Sequence, residues 1–143
     1  MRFRTEHFTA GDINKMEVQP QQMWGAQNVT LEAQERMSQE QHAYTAFDGD
    51  EVIACFGIAL YWQGRGFGWT YLSKHIGSRL RYVTKVCKHI FDTCGIRRIE
   101  ASVDYEFKQG HRWMAMLGMT KECERAIAFA PNGSDCTLYA RVT

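Results

Sequence analysis

The stretch "GHRWMAMLGMTKE", Gly110–Glu122, sets two periodicities side by side. Gly110–Leu117 has the length and residue mix of a short helix, carrying a basic residue, a tryptophan and two methionines. From Met119 the residues alternate. Gly118 stands at the joint, where a glycine lets a helix end in a left-handed turn and the chain enter the next element without a Cβ clash. The spacing predicts a short helix that stops at Gly118 and feeds directly into a strand.

Working outward, "RRIEASV" (97–103) alternates, with Ile99, Ala101 and Val103 on one side and Arg98, Glu100 and Ser102 on the other. Before it, Ile76, Leu80, Val83, Cys87, Ile90, Phe91 and Cys94 recur at three- and four-residue steps. That period predicts a long helix over Ile76–Cys94, with Leu80, Val83, Cys87 and Ile90 buried and Gly95 as its stop. A strand, a long helix and a strand imply a parallel crossover. Downstream, "MTKECE" and "CTLYARV" read as strands separated by the turn "APNGSD".

Upstream, "AYTAF" and "EVIACFGIALYW" flank the hairpin signal Asp48-Gly49-Asp50, and "FGWTYL" follows a break at Gly64–Gly66 as the third strand of a meander. At the N-terminus "RFRTEHF" reads as a strand. "TAGD", Thr9–Asp12, has the form of a capping box and predicts a helix ending before Pro20. A second helix is expected over Leu31–Gln41. The expected order is strand, two helices, three-strand meander, long helix, strand, short helix and two strands. This is an α/β domain with a mixed, mostly antiparallel sheet and helices on both faces, spanning 1–143 as one unit.

Composition narrows the functional classes. The 143 residues carry a net charge of +1, with 45% hydrophobic and 23% charged residues. Bulk charge of this size argues against nucleic acid as a partner. No apolar run approaches the ~20 residues of a membrane span, and the N-terminus lacks the apolar stretch of a signal peptide, so a cytoplasmic protein is expected. The five cysteines contain no C-x-x-C pair. Reduced thiols, with neither a disulfide framework nor a metal site, are the reading.

The element order, together with "V-D-x-x-x-x-x-G-H-R-W-M-x-x-L-G-M", resembles the GCN5-related N-acetyltransferases (GNATs). Val103, Leu117, Gly118 and Met119 take the family's places at the end of a strand and in its "L-G-F" helix end. "RRIEASVD", "GHRW" and "YARV" look most like the small divergent GNAT-like proteins of tailed bacteriophages. The resemblance implies a GNAT-like acyl-CoA N-acyltransferase fold, acetyl-CoA as co-substrate and an amine acceptor. It places coenzyme A at Leu72, Ser73, Lys74, His75, Ile76, Gly77, Ser78 and Arg79, where backbone N–H groups at a helix start would meet the pyrophosphate. In the family's loop pattern only Gly77 matches. Leu72 stands where the family has Gln or Arg, and His75 where it has its first glycine. Met114 occupies the place of a tyrosine that protonates the leaving thiolate.

Under the same resemblance Glu100 is the expected base, with Tyr105 and Ser102 as weaker candidates for proton handling. Each assignment has a plainer counterpart. Glu100 would pair with Arg98, and Arg79, Arg81, Lys85 and Lys88 would form a solvated helix face. Trp113, Met114 and Met116 would be core, and Met23 and Trp24 would be buried against the sheet instead of lining the acceptor side. The alternative function is a GNAT-fold protein that has lost catalysis and binds a host or virion protein.

Overall fold

The computed structural model describes every residue, Met1–Thr143. Its strands are β1 (Phe3–His7), β2 (His42–Asp48), β3 (Glu51–Trp62), β4 (Arg65–Leu72), β5 (Arg98–Asp104), β6 (Thr120–Ala126) and β7 (Cys136–Val142). They follow in the hydrogen-bonded order β1-β2-β3-β4-β5-β7-β6. The helices are α1 (Met23–Asn28), α2 (Leu31–Ser38), α3 (Leu80–Thr93) and α4 (Lys108–Met116), with short 3-10 turns at Asp12–Lys15, Pro20–Gln22 and Gly77–Arg79. The mixed sheet, with its single β4–β5 parallel pairing among antiparallel neighbours, is the expected architecture. No helix is long and apolar enough to cross a membrane. The chain forms two compact units. One holds Met1–Ala59 with Gly68–Lys85, and the other holds Leu60–Phe67 with Val86–Thr143.

In the first unit, β1 and β3 flank β2 in antiparallel register. A register shift between Ala46 and Phe47 marks a bulge. Phe8, Ile13, Ala43, Phe47, Val52 and Cys55 form one buried cluster, against which Ala26, Val29, Met37, Trp69 and Tyr71 pack. On the other face of β1, Phe3 stacks on Tyr82 of α3 at 4.6 Å between ring centroids, and Thr5 shares a 2.7 Å hydrogen bond with the Tyr82 hydroxyl. Thr30 caps α2 by accepting from the Ala33 N–H at 3.0 Å, and that helix ends at Ser38, three residues before the expected Gln41.

The helix expected after "TAGD" is a 3-10 turn of four residues. Half of the capping box forms, since the Asp12 carboxylate accepts from the Thr9 N–H at 3.2 Å. The hydroxyl half does not, because Gly11 departs into a left-handed conformation (φ 98°) and makes the cap itself without a side chain. Asp12 is instead drawn inward, where it accepts from the buried Thr45 hydroxyl at 2.7 Å and pairs with Lys15 at 3.0 Å. Met23 and Trp24 start α1 and stay largely exposed, so the expectation that they are buried does not hold.

The long helix begins at Leu80, with the 3-10 turn before it supplying the rest of the expected span. Val83, Cys87 and Ile90 are buried as the period requires, whereas Leu80 is only half-buried at the turn where 3-10 geometry passes into α. In the second unit, β5 and β6 flank β7, and Ile99 and Val103 point into a core with Trp113, Met114, Leu117 and Met119. Met116 is exposed, not core. α4 lies close on β5 because Gly110 has no side chain. A Cβ there would stand 2.7 Å from Val103 Cγ1 and from the Phe107 ring. The helix closes in a Schellman motif, with the Met119 N–H donating to Met114 O and the Gly118 N–H to Ala115 O, and Gly118 at φ 78°.

Candidate functional site

The eight residues Leu72–Arg79 join β4 to α3 and belong to the first unit. Leu72, Ser73 and Ile76 are buried, which pins the segment at both ends of its turn. Most of its backbone donors are used internally. The Ser73 N–H donates to Ile53 O, Lys74 to Glu17 O, Ile76 to Ser73 O and Arg79 to Ile76 O, while the His75 N–H donates to the Ser73 hydroxyl oxygen at 3.1 Å. The N–H groups of Gly77 and Ser78 have no partner within the protein, and both residues are exposed. Gly77 sits at φ 52°, and a Cβ on it would meet nothing within 4 Å. Glycine is needed there for its backbone angle, not for room.

The charged side chains of this segment are largely spent. Arg79 donates to both oxygens of Glu51 at 2.9 and 3.0 Å, to Asp48 at 3.1 Å, and to the carbonyls of His75 and Ile76. The Arg79 guanidinium thereby ties the β2–β3 turn to the start of α3. Its hydrogen bond holds the Glu51 carboxyl below the usual range. Asp48 is lowered first by the Arg2 backbone N–H and then by Arg79. Lys74 pairs with Glu17 at 2.5 Å. His75 remains as an exposed imidazole beside Gly77.

One contributor gives no signal in the sequence. Gln22, fifty positions before Leu72, lays its carboxamide on the β4 backbone. Its Nε2 donates to Thr70 O at 2.6 Å and its Oε1 accepts from the Leu72 N–H at 2.8 Å. The backbone of Glu17–Gln19 continues along β4, with the Gln19 N–H donating to Leu72 O and an isolated bridge between Val18 and Ser73.

In the second unit, Glu100 lies on β5 between two guanidiniums. Arg65 binds it in a fork, at 2.7 Å to Oε2 and 3.0 Å to Oε1, and Arg98 Nε reaches Oε2 at 2.5 Å. Arg98 continues to Glu122, and Arg65 stacks over the Tyr61 and Trp62 rings. The Arg65 hydrogen bond holds the Glu100 carboxyl below its usual range and outweighs the opposing effect of burial. The expected pairing with Arg98 is present, and the lowered pKa makes the group a weak base. Tyr105 follows at the end of β5. Its ring lies under the Arg125 guanidinium at 4.3 Å, and its carbonyl accepts from His111 Nε2 at 3.0 Å. That bond makes Nε2 a donor, and Nδ1 shares a 2.7 Å hydrogen bond with the buried Tyr139 hydroxyl. Met114 is buried in the α4 core, and Ser102 is exposed on β5. No group of three His, Cys, Asp or Glu side chains is placed to hold a metal ion.

Compared as a sequence, the chain matches no protein-family model and no curated protein. Compared as a structure, it is similar to Ard1 from Thermoplasma volcanium, with a TM-score of 0.78 at 10% identity over 100% of this chain and 99% of that one. It is also similar to an acetyltransferase of the GNAT family from Streptococcus pneumoniae, with a TM-score of 0.71 at 11% identity over 99% and 100% of the two chains. A third similar structure is the ribosomal-protein-S5-alanine acetyltransferase of Vibrio fischeri, with a TM-score of 0.67 at 16% identity over 99% and 93%. The chain has the fold of the GNAT acetyltransferases.

Proposed function

We propose that this chain is an acetyl-CoA-dependent N-acetyltransferase of the GNAT superfamily, acting on an amine. The observation that carries the reading is the pair of unpartnered, exposed N–H groups at Gly77 and Ser78, set at the start of a fourteen-residue helix in a chain of this fold. Donors of this kind, aided by the positive end of the helix, suit a pyrophosphate. Gly77 and Ser78 would hold it through their backbone, with His75 alongside. Bound acetyl-CoA would supply an activated thioester; the amine would attack its carbonyl carbon, the carbon–sulfur bond would break, and the proton the amine loses would balance the one the departing sulfur takes up.

Of the groups the resemblance implies for proton handling, Glu100 is tied up in ion pairs and Tyr105 is not. Glu100 serves as the centre of the Arg65–Glu100–Arg98–Glu122 chain of charges, so Glu100→Gln leaves turnover within a few-fold of the parent. Tyr105 is retained as a proton-handling candidate, since its phenol lies beside Arg125. A second reading has its own support in Met114, buried and without a proton to give. In that reading the fold has lost catalysis and binds a host or virion protein, in keeping with the bacteriophage resemblance. Calorimetric titration with acetyl-CoA separates the two. Binding that weakens with salt, followed by release of free thiol when an amine is added, supports the enzyme. No heat at millimolar acetyl-CoA rejects it.

A further inference from the structure

Glu100 and Ser102 alternate along β5 with Ile99, Ala101 and Val103, and the two sides of the strand meet different surroundings. On the Ile99 side, Gly110 of α4 packs against Val103, and His111 of α4 bonds Tyr139 of β7. Arg141, two residues further along β7, donates to the Phe91 carbonyl of α3 on that same side. Both helices of the second unit therefore lie there, and no helix of this unit covers the Glu100 side. An antiparallel sheet can face water in this way, but its outward residues are then polar. Here several are not. Phe67 is the register partner of Glu100, and Tyr61 lies beside it with ring centroids 5.5 Å apart. Trp62 at the hairpin end is 60% exposed, and Val142, across from Arg98 on β7, is equally so. Single exposed apolar residues are ordinary, whereas a contiguous patch marks an interaction surface. We propose that this face docks a second copy of the chain, packed on it about a two-fold axis that lies between the two sheets.

The charges select that occupant. Four of them cross the face in the order Arg65, Glu100, Arg98 and Glu122, each bonded to the next. Two positive and two negative groups leave no net sign, so the face favours neither an acidic nor a basic partner. A two-fold axis across the row reverses it. Arg65 then faces Glu122 of the partner subunit, and Glu100 faces Arg98 of the partner subunit, so every charge meets its opposite.

The rings supply the affinity. Tyrosine, tryptophan, phenylalanine and arginine are the residues that interface centres favour. Arg65 also holds the patch in place, since its guanidinium forks onto Glu100 and lies 4.7 Å from the Tyr61 ring and 4.8 Å from the Trp62 ring. Side chains fixed beforehand lose little entropy on docking. Association of this kind goes beyond the proposed reaction and does not depend on coenzyme A.

Sedimentation velocity of the whole chain should show mass rising from monomer toward dimer between about 1 and 100 μM. Tryptophan emission should shift to the blue over the same range, and Trp62→Phe should lose that shift. Trp62→Ala should weaken the dimer about tenfold. Glu122→Arg, which sets a guanidinium against Arg65 of the partner subunit, should weaken it at least as much. Trp24→Ala removes an exposed tryptophan of the first unit and should leave the dimer unchanged. Thermal melts confirm that each variant is folded, and Phe67→Ala replaces Trp62→Ala if that variant folds poorly.

Weakening by both the ring and the charge variant supports the two-fold dimer. A chain that stays monomeric at millimolar concentration overturns it, as does one that stays monomeric and captures a different protein through these residues. Weakening by neither variant, or by Trp24→Ala as strongly, places the contact elsewhere and overturns it as well. Weakening by only one of the two rejects the joint arrangement of rings and charges.

Discussion

The loop Leu72–Arg79 in the first unit and the strand β5, Arg98–Asp104, in the second spend their polar groups in opposite ways. In the loop the side chains of Arg79 and Lys74 are committed to carboxylates, while the backbone keeps two N–H donors exposed. In the strand the backbone is committed to ladders, and the polar side chains Arg98 and Glu100 are committed to each other and to Arg65 and Glu122. What remains for binding is backbone at the helix start, and such donors are largely insensitive to side-chain identity. A loop can therefore depart from its family's side-chain pattern and still present the same two hydrogen bonds.

The largest test of this contrast lies on β5, whose two faces should differ sharply. Ile99 is fully buried, so Ile99→Ala should cost about 2–5 kcal/mol in denaturant unfolding. Glu100→Gln, on the opposite, partly exposed face, should cost about 1 kcal/mol. Similar losses at both positions would show that the charge chain holds the strand as firmly as its core.

In the loop, Arg79→Met should lower stability by about 1–2 kcal/mol, through loss of its charged hydrogen bonds, yet change acetyl-CoA affinity by less than about threefold. Gly77→Ala should reverse the order. Its Cβ meets open space, but φ 52° is unfavourable for alanine, and relaxing the turn would misalign the Gly77 and Ser78 N–H groups. Calorimetry of both variants is the measurement. A larger affinity loss in Arg79→Met would place the guanidinium, not the backbone, at the anion.

Acid should expose both charge clusters. Glu51, Asp48, Glu100 and Glu122 all have folded pKa values below their usual ones, through hydrogen bonds from Arg79, the Arg2 N–H, Arg65 and Arg98 respectively. A depressed folded pKa gives stability that is present above the ordinary carboxylate value of about 4 and is lost as pH falls through the folded value. Melting temperature should hold from neutral pH to about 5 and fall below 4. Arg79→Met should show the shallower fall, because Glu51 loses its main partner and Asp48 its second.

The smallest effect on the folded protein concerns the thiols. Burial pushes Cys55 and Cys87 up to about 12, so both should react with a thiol reagent only after unfolding, with half-buried Cys94 and Cys123 reacting first. All five thiols should count as free in denaturant without reductant.

Much of the architecture was legible because its signals are local. The helical stripe Val83, Cys87 and Ile90, the alternation of Ile99 and Val103, and the stop at Gly118 each follow from residues a few positions apart. Geometry on that scale is imposed by backbone sterics and by which face meets water. The failed helix at Thr9–Asp12 marks the limit of local reading, for Asp12 is claimed by Thr45, thirty-three positions away. The candidate site lies almost wholly beyond that limit. Whether Arg79 is available depends on Asp48 and Glu51, whether Glu100 is basic depends on Arg65, and what covers the Leu72 N–H depends on Gln22. Sequence by itself determined the element order, the apolar faces and the glycine stops. Only the tertiary structure decided which polar groups are spent and which are left, because a hydrogen bond between distant residues is chosen by their meeting in space, and no spacing along the chain records it.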